Sequence, residues 1–111
     1  MANERVGKLR EPEARILALR IAAAFPKHQA STAQIKKYVP NLRELGEADL
    51  KQSRPRPNEC MWQQIVGNVV SHDKAGTSIF NQGWAVRIES RNSIRVTEKG
   101  LAHLEKLGFQ E

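Results

Sequence analysis

The stretch Asn58-Glu59-Cys60-Met61-Trp62-Gln63-Gln64-Ile65-Val66-Gly67-Asn68-Val69-Val70-Ser71-His72 decides how the rest of the chain is read. Trp62, Ile65, Val66, Val69 and Val70 recur at i, i+3, i+4, i+7 and i+8, the period of a helix with one buried stripe. At about 100° per residue they fall within an arc of about 140°. Asn58 is a good N-cap residue, so a helix is predicted over 58–72. The opposite arc carries Cys60, Gln64, Gly67, Asn68 and Ser71, with Gln63 on its flank, and no charge lies between Glu59 and Asp73. A solvated helix face usually holds Lys, Glu or Arg. An uncharged face of amides, hydroxyls and small residues suits contact with another polar surface.

Upstream, Lys51-Gln52-Ser53-Arg54-Pro55-Arg56-Pro57 breaks all periodicity, and its two X-Pro steps predict a stiff, extended, basic loop. Before it, Leu42, Leu45 and Leu50 allow a further helical turn or two. Ser31-Thr32-Ala33-Gln34 has the form of a capping box. It opens a short second helix with Ala33, Ile35, Tyr38 and Val39 inward and Pro40 as its end. A first helix starts at Glu11-Pro12-Glu13, where proline and acids suit the first turn, and Pro26 stops it after Phe25. Apolar residues cover most of its circumference, which marks either the central core helix or a seam shared with a second copy through 11–25. Residues 1–10 are polar, basic and aperiodic, and read as a flexible arm ahead of one domain spanning 11–111.

Downstream lies a β-rich stretch. Ile79-Phe80, Trp84 to Ile88 and Ser93 to Thr97 read as short strands, the last two flanking the turn-rich Glu89-Ser90-Arg91-Asn92. Thr97 caps a final helix from Glu98 to Leu107, with Leu101, Leu104 and Leu107 inward and Gly108 at its end. Three helices, a β-hairpin and a C-terminal helix give an α+β fold in the order of a winged helix-turn-helix domain. In that arrangement the third helix enters the major groove and the hairpin, here 84–97, touches the backbone or minor groove.

Two segments then resemble a known family. Trp62-Gln63-Gln64-Ile65-Val66-Gly67-Asn68-Val69-Val70-Ser71-His72 looks like the tryptophan-bearing third helix, and Ile94-Arg95-Val96-Thr97-Glu98-Lys99-Gly100 like the wing-to-helix junction, of certain winged helix domains. These are the N-terminal recognition domains of Mrr-type restriction enzymes and related domains linked to HNH-type nucleases. The resemblance covers about 12–107 and implies DNA binding through the third helix and wing. No nuclease domain accompanies these residues, so cleavage is not implied.

Composition bounds the partners. The 111 residues hold 18 Lys and Arg against 12 Asp and Glu, a net charge of +6 with a pI near 9.9. From Lys51 to Thr97, seven basic residues meet three acidic ones. A small basic domain is suited to a polyanion, and nucleic acid is the commonest. Cys60 is the sole cysteine and the three histidines are scattered, so neither an internal disulfide nor a zinc-ligand spacing is present, and no metal or cofactor is expected. No apolar run approaches the roughly 18 residues of a spanning helix, and no leader pattern stands at the start, so the chain reads as cytoplasmic.

Catalysis is not expected. His72 and Asp73 are adjacent in sequence and project about 100° apart, so they cannot orient each other as a dyad. Cys60 has no evident activating partner, and there is no glycine-rich phosphate loop or carboxylate cluster.

The candidate contacts are with double-stranded DNA. Gln63, Gln64 and Asn68 can pair with adenine edges, Gly67 allows close backbone approach, and Ser71 reaches a base or phosphate. Arg54 and Arg56, held extended by prolines, suit a narrow minor groove. Lys36, Lys37, Lys74, Arg91 and Arg95 suit phosphates. Such a protein would act in transcription regulation or as a recognition subunit. The alternative is a protein–protein interaction module on the same fold, with the uncharged helix face as its docking surface. Convergence of the basic side chains around the third helix favours the first reading, and scatter favours the second.

Overall fold

The computed structural model describes residues 7–55, 58–71, 76–88 and 92–109. Glu11–Ala24 forms α1, which opens with Pro12 and two acids in its first turn and closes at Phe25, ahead of Pro26. Its Ala14, Leu17, Ala18, Leu19, Ile21, Ala22 and Ala23 are all buried. They pack against nearly every other element, so the helix that is apolar around its girth is the central core helix.

After α1 the chain turns through Lys27 and His28, both in the left-handed region with φ of 60° and 56°. Gln29–Ser31 is then a short strand, β1, which sequence patterning misses. Ser31 caps α2 (Thr32–Leu42) in a complete capping box: its Oγ accepts the Gln34 N–H at 3.1 Å, and Gln34 Oε1 accepts the Ser31 N–H at 2.9 Å. Pro40 does not end this helix. It sits in the last turn, where the missing N–H forfeits one bond near an end that frays anyway. Of the four inward residues expected, Ile35 and Val39 are buried, whereas Ala33 and Tyr38 are exposed.

The single turn α3 (Glu47–Leu50) is fixed by Asp49, which is 1% exposed. One carboxylate oxygen accepts the Leu9 N–H at 2.7 Å, and the other accepts the Gly46 N–H at 3.0 Å and the Arg43 guanidinium at 2.8 Å. Arg43 also pairs with Glu13 and donates to the carbonyls of Gly7 and Glu44. Leu9 is fully buried. The segment 7–10, expected as loose arm, is therefore clamped to the core by a buried charge pair with satisfied hydrogen bonds.

Helix α4 (Met61–Ser71) begins two residues later than the Asn58 cap implies. Gln63 Oε1 accepts the Cys60 N–H at 2.8 Å, which satisfies the start of the helix without Asn58. The preceding loop closes into a small antiparallel base: Gln52 bridges Cys60, the Ser53 N–H donates to Glu59 O, and the Met61 N–H to Lys51 O. Trp62, Val66, Val69 and Val70 are buried as the periodicity requires, while Ile65 is half-buried.

The hairpin comprises β2 (Ala85–Ile88) and β3 (Ser93–Val96). Ile79 and Phe80 lie in turns, not a strand, because Ile79 acts as a buried plug whose carbonyl accepts the Trp84 and Ala85 N–H groups. The sheet is antiparallel in the order β1-β3-β2, with Ala30 opposite Ile94 and Ala85 opposite Val96 on the core side. Thr97 joins β3 to α5 (Glu98–Lys106). Its Oγ1 donates to Gly83 O at 2.6 Å and accepts the Gly100 N–H at 3.0 Å. A Cβ on Gly100 would lie 2.1 Å from the Trp84 carbonyl oxygen, so glycine is required for α5 to seat on the hairpin. On α5, Leu104 is buried and Leu101 half-buried, but the third expected core residue, Leu107, is exposed. The described residues thus form a compact α+β fold of five helices and a three-stranded antiparallel sheet.

Candidate nucleic-acid interface

Where α2, the start of α4 and Asn92 meet, an open cleft of about 760 Å³ is lined by Thr32, Lys36, Lys37, Glu59, Gln63 and Asn92, with buried Trp62 among its walls. Its geometry follows from β1. That strand pairs with β3 and runs directly into α2, so Asn92, just ahead of β3, lies at the α2 N-terminus. The Asn92 carbonyl there accepts both the Thr32 N–H at 2.6 Å and the Thr32 hydroxyl at 2.8 Å.

The cleft gathers three of the expected contact residues. Lys37 is exposed. Lys36 is half-buried, and its ammonium lies 2.5 Å from the Glu59 carboxylate, so its charge is met within the chain. Gln63 keeps its amide NH2 as a donor while its oxygen serves the Cys60 N–H.

The remainder of the α4 face is less open than its composition suggests. Gln64 accepts the Ser53 hydroxyl at 2.5 Å, tying the helix to the basic loop. Gly67 is buried, so it offers no close approach to a groove wall. Ser71 is exposed, with its hydroxyl donating back to Gly67 O at 2.8 Å. Asn68 is half-buried, and its amide makes no hydrogen bond among the described residues, so both its donor and its acceptor are available.

Arg54 is exposed beside Ser53, which is itself 1% exposed and fixed to Glu59 and Gln64. The loop therefore presents Arg54 from a fixed base. Arg95 is exposed on the outer face of the sheet, flanked across the strands by Gln29 and Val86. Arg56, Lys74 and Arg91 lie outside the described residues. Among the described residues, Lys36 and Lys37 line the cleft, Arg54 stands on the loop leading into α4, and Arg95 stands on the sheet.

Sequence reasoning missed Thr32 and Asn92, which meet where the start of β3 approaches α2, and Glu59, which enters the site through its ion pair with Lys36. Arg87 was also missed. Its guanidinium donates to the Val70 carbonyl near the end of α4 and lies 5.1 Å over the Phe80 ring. Trp84 is stacked on His103 at 3.8 Å with 10° between the rings, so that face is already occupied. Among the described residues no group of three or more His, Cys, Asp or Glu is placed to hold a metal ion, and no helix is long and apolar enough to cross a membrane. No family model matches the chain, and neither a curated protein nor a solved structure matches it.

Proposed function

We propose that this chain is a winged helix protein that binds double-stranded DNA along the cleft between α2 and α4, with the β2–β3 hairpin as its wing. The observation that carries the reading is the cleft itself. It joins Lys37 and Gln63, expected from sequence to touch phosphate and base, to Asn92, just ahead of β3. The insertion of β1 between α1 and α2, together with the sheet order β1-β3-β2, supports the same reading.

Lys37, Arg54 and Arg95 act as phosphate contacts that position the duplex without reading it. Asn68 is the base reader best equipped to offer adenine a donor and an acceptor side by side. Gln63 adds a donor alone. Lys36 is held in reserve by Glu59, and Gly67 has no part. The reading gives the chain a binding role and no chemistry of its own, as a transcription regulator or the recognition subunit of a larger assembly.

Selection from a pool of random duplexes tests it, because binding and specificity are read together. The expected result is an enriched motif whose preference is relaxed by Asn68→Ala, whereas Lys37→Ala weakens all duplexes alike. Failure to retain any duplex at about 50 mM salt overturns the reading in favour of a protein-docking module.

A further inference from the structure

A second, larger concavity of about 1160 Å³ lies between the end of α1, the end of α2 and α5. Its walls are mainly apolar, built from Phe25, Tyr38, Leu42 and Leu101. Tyr38 meets Phe25 edge-on at 5.7 Å yet is 38% exposed, and Leu42 is 42% exposed. Among the described residues, two of the five exposed large apolar side chains, Tyr38 and Leu42, therefore line this groove. Contiguous apolar exposure of this kind marks an interaction surface.

The charges on the groove identify the occupant. Arg20 rises from α1 with its guanidinium 4.2 Å over the Phe109 ring, while Glu98 and Glu105 line the α5 wall. None of the three has an ion-pair partner among the described residues, whereas the other α1 arginine, Arg15, pairs with Glu11 and Arg43 pairs with Glu13 and Asp49. The patch is thus apolar at its centre and carries both signs at its rim. A polyanion is disfavoured by the two glutamates. A two-fold contact demands self-complementarity, since each residue of the patch meets the same patch on its partner. A rim with both signs satisfies that demand, Arg20 of one protomer facing the glutamates of the other.

We infer that this groove is the interface of a symmetric homodimer, formed by the ends of α1 and α2 with α5. The girth of α1 is used up within the chain, so only its last turns take part. The interface lies apart from the α2–α4 cleft and does not depend on the DNA reading.

Sedimentation equilibrium of the full chain tests it. The expected species has twice the 12.5 kDa chain mass. Leu42→Glu and Tyr38→Glu, both at exposed positions, should raise the dissociation constant at least about tenfold while leaving the circular dichroism spectrum unchanged. Arg20→Glu should do the same, and adding Glu98→Arg and Glu105→Arg should restore association. A chain that stays monomeric up to about 1 mM overturns the inference. So does a dimer indifferent to both Leu42→Glu and Tyr38→Glu, which would place the contact elsewhere.

Discussion

At the scale of single residues, three positions concentrate the constraints. Gly100 faces the Trp84 carbonyl so closely that any side chain must push α5 off the hairpin. Gly100→Ala is expected to lose about 3 kcal/mol in urea unfolding, the upper end for overpacking because the obstacle is backbone. The Thr-x-x-Gly spacing of residues 97–100 was legible in sequence as a junction. Its physical basis, a hydroxyl bonded to both sides and a glycine at a backbone contact, was not. Asp49 is the second position. Removing its carboxylate takes the buried partner from Arg43, which keeps Glu13 and two carbonyls, and leaves the Leu9 and Gly46 N–H groups unpaired, so Asp49→Ala should cost about 3 kcal/mol by the same measurement. Nothing in the sequence singles Asp49 out from the surface acids, because its three partners include Leu9, forty positions away, and Arg43, which is itself shared with Gly7 and Glu13. Lys27 is the third. A left-handed backbone costs an ordinary residue about 1 kcal/mol or more, so Lys27→Gly should raise the midpoint of thermal unfolding.

At the scale of elements, long periodic segments were legible and short or tertiary ones were not. Helices α1, α4 and α5 declare themselves through period, caps and prolines, since those signals are local. Strand β1 has three residues with one buried, and its formation is decided by β3, some sixty positions later. Pro40 misleads because a proline in a final turn forfeits little. The candidate site divides in the same way. Residue types on α2 and α4 were visible from periodicity, but their engagement was not. Gln64 is committed to Ser53, Lys36 to Glu59, and Gly67 to the interior. This pairing yields a prediction for the α2 edge of the cleft. Glu59→Gln frees Lys36 to add one phosphate contact, so duplex affinity should rise and the salt dependence should steepen by about one unit of slope. Lys36→Ala should by contrast change affinity little, while Lys37→Ala flattens the slope by about one. Filter-binding titrations at several salt concentrations distinguish these outcomes.

At the scale of the whole molecule, the chain carries a net charge of +6. Exposed apolar side chains stand beside Glu98 and Glu105 at the α5 groove. Lys37 at the α2–α4 cleft and Arg54 on the tethered loop are both exposed. Whether this chain holds duplex DNA by its α2–α4 cleft is therefore a question of counterion release. Fluorescence anisotropy of a labelled duplex, titrated with the protein between about 50 and 200 mM salt, asks it directly. Binding is expected with a log–log salt slope of about −3, from phosphate contacts by Lys37, Arg54 and Arg95, and a slope shallower by about one in Lys37→Ala. No anisotropy change at the lowest salt, or a slope that Lys37→Ala leaves untouched, would contradict it.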